Sequence, residues 1–267
     1  MKTLIWLACI GGIAYGGYWY FTKPGCGARG ALACPPAELE EGVGVTLSAA
    51  EVCPRSGYLC VEGRNRPVMR WPLDKGRLKI NVPLPEFASG DEAEQLRAAA
   101  IEGIRAWDGH PFPLVIDTTK PIYPNWDVRV IWTQGLSIEG AAGVAHQQVE
   151  AVGKRIKYSV NGIGVMVPPS GIDVLVAQGM PREIAASLQD KIPADALPRT
   201  SQRQVLARVK AVATHEMGHA LGLGHSDQES DIMYPRLTPD ATQLRASARD
   251  FRTVDTLYSL PNGATLQ

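Results

Sequence analysis

From Leu4 to Phe21 no residue carries a charge: the stretch is Ile, Leu, Ala, Gly and aromatics, with Tyr18-Trp19-Tyr20 near its end. At the rise of a helix this run approaches the hydrocarbon thickness of a bilayer, and its aromatic triplet suits an interfacial belt. It predicts a membrane anchor over residues 1–22. The competing reading is a cleaved secretory signal, because Ala31-Leu32-Ala33 fits a small-x-small processing site, although Lys23 and Arg29 stand between it and the apolar run. Residues 23–69 show no hydrophobic period. Their Gly, Pro and Cys content predicts a linker or small stapled segment.

Regular periods begin after that. Leu78 to Leu84 alternates as a strand. Ser89 then caps a predicted helix from Asp91 to Trp107, with Ala93, Leu96, Ala100, Ile104 and Trp107 on one face. Strands are predicted at Pro113 to Thr118, Asp127 to Trp132, Ile156 to Val160, Gly164 to Val167 and Ile172 to Ala177. A Pro-containing stretch from Gln178 to Thr200 reads as an elaborated loop with a short helical piece. Leu206, Val209, Ala213, Met217 and Ala220 then form the core-facing stripe of a long helix, and a last helix is predicted from Ser247 to Tyr258.

Composition changes this picture little. The chain has 267 residues, 45% hydrophobic and 20% charged, enough for one well-buried globular unit. Its 27 basic and 27 acidic residues balance, and no basic stripe suggests a nucleic-acid partner. Of the cysteines, Cys9 falls inside the apolar run, whereas Cys26, Cys34, Cys53 and Cys60 follow it as an even set. In an exported protein this reads as two disulfides with three open connectivities, neighbour pairing (Cys26 with Cys34, Cys53 with Cys60) being the expectation. A four-cysteine zinc site is the alternative, and a cysteine capping a catalytic metal is another.

The chemistry concentrates in His215-Glu216-Met217-Gly218-His219-Ala220-Leu221-Gly222-Leu223-Gly224-His225. Histidines four apart share a helix face, so both imidazoles can reach one ion. His215 and His219 lie opposite the apolar stripe, toward a cleft. Zinc in a catalytic site takes three protein ligands and leaves a position for water. Gly222 can end the helix in a left-handed conformation and bring His225 to the same ion. Glu216 is then placed as the general base for water activated by the metal.

This extended histidine motif, with Met233-Tyr234-Pro235 downstream, resembles the metzincin clan of zinc peptidases. Ser226 after the third histidine, and Ser230-Asp231-Ile232 before the methionine, make it similar to the matrixins, the matrix metalloproteinase family. Arg70-Trp71-Pro72 with Leu78-Lys79-Ile80-Asn81-Val82 resembles the opening of a matrixin catalytic domain. Ser247-Ala248-Arg249-Asp250 with Val254 and Leu257-Tyr258 resembles its closing helix. The resemblance implies an α+β fold: a twisted mixed sheet, an active-site helix, a C-terminal helix and a zinc cleft between two subdomains, with the catalytic domain at residues 70–262. It implies a metalloendopeptidase acting on extracytoplasmic protein or peptide substrates, with His215, His219 and His225 as zinc ligands, Glu216 as base and Met233 packed beneath the ligands.

The chain also departs from the family pattern. The propeptide string P-R-C-G-x-P-D does not occur, only His146 matches a structural-zinc ligand, and no calcium loop or hemopexin-like repeat is recognisable. One catalytic zinc is therefore expected. Leu237 stands where an aromatic residue often shapes the specificity pocket. Two rival readings stay open: a non-catalytic zinc-binding or adhesion module, disfavoured by the intact Glu216, and an exported hydrolase of non-peptide bonds.

Overall fold

The computed structural model describes residues 40–62, 66–88, 90–119, 125–134, 143–167, 184, 202–236 and 245–267. The apolar N-terminal run, Cys26 and Cys34, the Ser89 cap, the strand expected at 172–177, all of the 178–200 stretch except Ile184, and Leu237 lie outside the described residues. None of the described helices is long and apolar enough to cross a membrane.

A five-stranded mixed sheet forms the frame. Its strands are β2 (Leu78–Asn81), β3 (Leu114–Asp117), β4 (Val128–Gln134), β5 (Gly143–Val152) and β6 (Arg155–Val167), in spatial order β3-β2-β4-β6-β5. All neighbours run parallel except β5, which pairs antiparallel with β6 and forms one edge. Parallel strands are covered on both faces, and β2 shows it: Leu78, Ile80 and the following Val82 are fully buried and Asn81 nearly so.

Two long helices complete the frame. Helix α3 (Gly90–Arg105), the third helix after the short α1 (Ala49–Val52) and α2 (Leu59–Glu62), buries Ala93, Leu96, Ala100 and Ile104, the predicted face. It packs along α4 (Gln202–Ala220), which in turn lies against β6 and β5. On α4 the predicted stripe is fully buried at Val209, Ala213, Met217 and Ala220. Val212, Thr214 and Glu216 are buried as well, so the second half of α4 is enclosed on most sides. The last helix, α5 (Ala248–Ser259), starts at Ser247, whose hydroxyl accepts from the Arg249 and Asp250 amides while Asp250 accepts from the Ser247 amide. This reciprocal cap fixes where the helix begins.

Three features differ from the pattern along the chain. The segments 156–160 and 164–167, separated in the sequence by Asn161-Gly162-Ile163, form one continuous strand. Pairing jumps from His146–Gly162 to Gln147–Val160, which leaves Asn161 as the extra residue of a β-bulge. Strand β5 carries no usable alternation because most of its residues are exposed on both faces. The described residues of 40–69, finally, are packed into the same core as the sheet: β1 (Thr46–Leu47) pairs with β7 (Thr265–Leu266), and Val52, Tyr58 and Val68 are buried. Cys53 and Cys60 form a disulfide, so neither thiolate is available to a metal.

Candidate metal centre

Two of the three histidines owe their position to α4, and the third to the way that helix ends. After Ala220 the Leu223 amide donates to Gly218 O at 3.1 Å and the Gly222 amide to His219 O at 2.9 Å. With Gly222 at φ 99° this is a Schellman termination, open to glycine because a side chain there meets left-handed strain. A β-carbon on Gly222 would also stand 2.3 Å from Met69 O. The chain turns and returns His225 to the face that carries His215 and His219. One ring nitrogen from each lies within 4.8 Å of the others, close enough to share one ion.

The remaining nitrogens fix the tautomers. His215 Nδ1 contacts Ile232 O at 2.7 Å, His219 Nδ1 contacts Leu223 O at 2.8 Å, and His225 Nδ1 contacts Glu62 Oε1 at 2.8 Å. Carbonyl and carboxylate oxygens only accept, so each Nδ1 carries a proton, and on a neutral ring Nε2 is then the nitrogen with the lone pair. Burial lowers the pKa of His215 to about 4 and that of His219 to about 3, keeping both rings neutral, the form that binds metal.

The segment after His225 supports the ligands from below. Ser226 N donates to Met233 O, and the Tyr234 amide closes a turn on Asp231 O. Met233 is fully buried, with its sulfur 2.3 Å from where a β-carbon on Gly218 would stand, so it packs against the ligand helix. Buried Asp250 accepts from the Ile232 amide and from Tyr58 Oη, the latter at 2.8 Å. Thus α5 holds the turn, and the turn's Ile232 carbonyl holds His215.

At the end of α4 the backbone runs short of donors: His219 O receives only the capping Gly222 amide and Ala220 O none, and such carbonyls would be costly to bury alone. Side chains from three directions take them up. Gln147 Nε2 and Tyr158 Oη donate to His219 O, Trp71 Nε1 donates to Ala220 O at 2.8 Å, and Tyr258 Oη donates to Leu221 O at 3.0 Å.

Glu216 is only 4% exposed, and among the described residues its Oε2 is the buried side-chain oxygen left without a hydrogen-bond partner. Burial pushes its pKa up to about 8. Its other oxygen lies against the first residue of β5: a β-carbon on Gly143 would stand 2.5 Å from Glu216 Oε1. Three imidazole nitrogens converge, and the residue next to the first of them carries a buried carboxyl oxygen with no hydrogen-bond partner; a dication fits such a site. The donor set is that of zinc in a three-histidine site with an open fourth position.

The four residues expected from the motif are therefore adjacent. His146 lies on β5 at the bulge, away from that group, and among the described residues the three histidines are the one cluster of metal-binding side chains. Glu62, Gly143, Gln147 and Tyr158 carry no local signal of a role at the centre. Each acts across a long sequence separation.

A family model described as Matrixin matches residues 141–259. Over 59 residues the chain is 48% identical to Metalloendoproteinase 1-MMP of Arabidopsis thaliana, 22% of this chain and 16% of that protein. It is 45% identical over 49 residues to Matrilysin of Felis catus, 18% of this chain and 19% of that protein. It is 48% identical over 48 residues to Matrix metalloproteinase-26 of Homo sapiens, 18% of each. The chain thus spans less than a fifth of the length of these relatives.

Proposed function

We propose that this chain, which carries a matrix metalloproteinase-like catalytic domain, is a zinc metalloendopeptidase that cleaves extracytoplasmic proteins or peptides. The observation that carries the reading is the convergence of three imidazole nitrogens, together with the buried, unpartnered Oε2 of Glu216, the residue next to the first of the three histidines. His215, His219 and His225 would hold one zinc. Bound there, the metal supplies a Lewis acid that polarises the scissile carbonyl and lowers the pKa of a water in its open position toward neutrality.

The rest belongs to the chain. In the ionised form that a dication on the three histidines would favour, Glu216 Oε2 takes a proton from the attacking water and passes it to the leaving amine nitrogen. Gly143 leaves room for the carboxyl and backs its second oxygen. The outer side of β5, at the sheet edge beside the ligand helix, offers main-chain groups to an extended substrate by strand addition. We place the catalytic machinery within 70–262, with the described residues of 40–69 and strand β7 packed into the same core, and the chain tethered by the apolar run at 1–22. Cleavage of that run as a secretory signal is the alternative, and the N-terminus of the protein isolated from native membranes decides between them.

The test is digestion of a peptide library by the full chain, with and without chelator, beside Glu216→Gln. We expect one zinc per chain in both proteins and a fall in kcat of at least about 10²-fold in the variant. Undiminished cleavage by Glu216→Gln ends this mechanism.

A further inference from the structure

We infer that Glu62 is a positioning residue of the metal centre and that the Cys53–Cys60 disulfide holds it in place. The inference rests on the zinc reading above. His215 and His219 find their Nδ1 acceptors in backbone carbonyls of the motif segment itself, Ile232 and Leu223. His225, beyond the end of α4, instead meets a side-chain carboxylate from 163 residues upstream, Glu62 Oε1 at 2.8 Å. A carboxylate is a stronger acceptor than a carbonyl; on a ligand imidazole it fixes the ring's orientation and raises the basicity of the opposite nitrogen.

The second oxygen is also seated. Glu62 Oε2 lies 3.9 Å from Arg66 Nη1 and would be 2.9 Å from a β-carbon on Gly224, so the absence of a side chain just before His225 lets the carboxylate approach.

The pair is not buried enough to hold itself. The side chains of His225 and Glu62 are 34% and 36% exposed, and exposed pairs of this kind contribute little when both partners are free to move. Nor does α2 supply rigidity, since four residues are too few for a self-supporting helix. What restrains Glu62 is its attachment. The disulfide closes two residues before it, Tyr58 Oη is bonded to Asp250, and Arg249 Nη2 donates to Gly57 O. The same α5 residues that hold the turn under His215 therefore hold the segment that reaches His225.

The experiment measures zinc affinity of the full chain by competition with a chromophoric chelator, together with the visible spectrum of the cobalt-substituted protein. Glu62→Ala should raise the zinc Kd about 10- to 100-fold and alter the cobalt bands, with Glu62→Gln in between and the melting of the metal-free protein little changed. The pair Cys53→Ser and Cys60→Ser should weaken zinc binding in the wild-type background and add little to Glu62→Ala, since both act through one contact.

Unchanged affinity and spectrum in both Glu62 variants overturn the positioning role, and strictly additive effects overturn the part assigned to the disulfide. Absence of zinc binding by the wild-type chain, or binding that survives His219→Ala, is a separate outcome: it removes the metal-centre reading itself.

Discussion

Glu216 sits beside a ligand, so its role is legible from spacing, but the position of its carboxyl is set by a residue that spacing does not reveal. Gly143 begins the edge strand and lies against Glu216 Oε1. Gly143→Ala would put a methyl carbon 2.5 Å from that oxygen, inside van der Waals contact, and moving a base by about 1 Å lowers turnover on the order of 10²-fold. We expect kcat to fall by about that factor while zinc content stays near wild type; the melting temperature falls too, because the same β-carbon would stand 2.7 Å from Gly164 O of the paired strand. Metal analysis beside steady-state kinetics checks this, and a variant with wild-type kcat shows that the contact does not place the base. Glu62 illustrates the same limit. A glutamate near a cysteine pair has no sequence feature that points to a histidine beyond another helix.

Among the elements, the motif helix was legible throughout: its stripe, its termination at Gly222 and the return of His225 all follow from residue types in one short window. Strand β5 was not, because an exposed edge strand has no buried face to impose alternation. The flanking resemblances acquire a physical meaning here. Trp71 of the opening segment and Tyr258 of the closing helix donate to the orphan carbonyls of the ligand helix, and Asp250 ties Ser247, Ile232 and Tyr58 together. Burial and the Asp250 carboxylate push the Tyr58 phenol well above its usual pKa, so it remains a donor. Asp250→Ala leaves those donors without an acceptor and removes half of the reciprocal cap. It should cost roughly 2–4 kcal/mol in denaturant unfolding, and a loss below about 1 kcal/mol would show that water replaces the carboxylate.

For the whole molecule, a metal held by residues of α4 and by the loop after it binds the folded chain and not the unfolded one. Zinc therefore stabilises the fold by mass action: at free zinc about 100 times its Kd the gain is about 2.7 kcal/mol. In a chain of this size that is about 5–10 °C in Tm. Calorimetry of metal-free protein titrated with zinc should show the rise and show none with magnesium, which prefers oxygen ligands. A Tm that ignores zinc would mean that the three histidines do not share an ion in solution.

The sequence alone determined what depends on neighbours a few residues apart: the periods of the helices and inner strands, the helix stop at Gly222, and the grouping of His215, Glu216, His219 and His225. Tertiary structure decided what depends on residues far apart meeting. It joined segments 156–160 and 164–167 across a bulge, packed the described residues of 40–69 into the core, aimed Glu62 at His225, and set Gly143 against Glu216. The reason is one of range: spacing along a helix or strand fixes geometry within a few residues, whereas contacts across long separations arise only once burial has chosen how the elements pack.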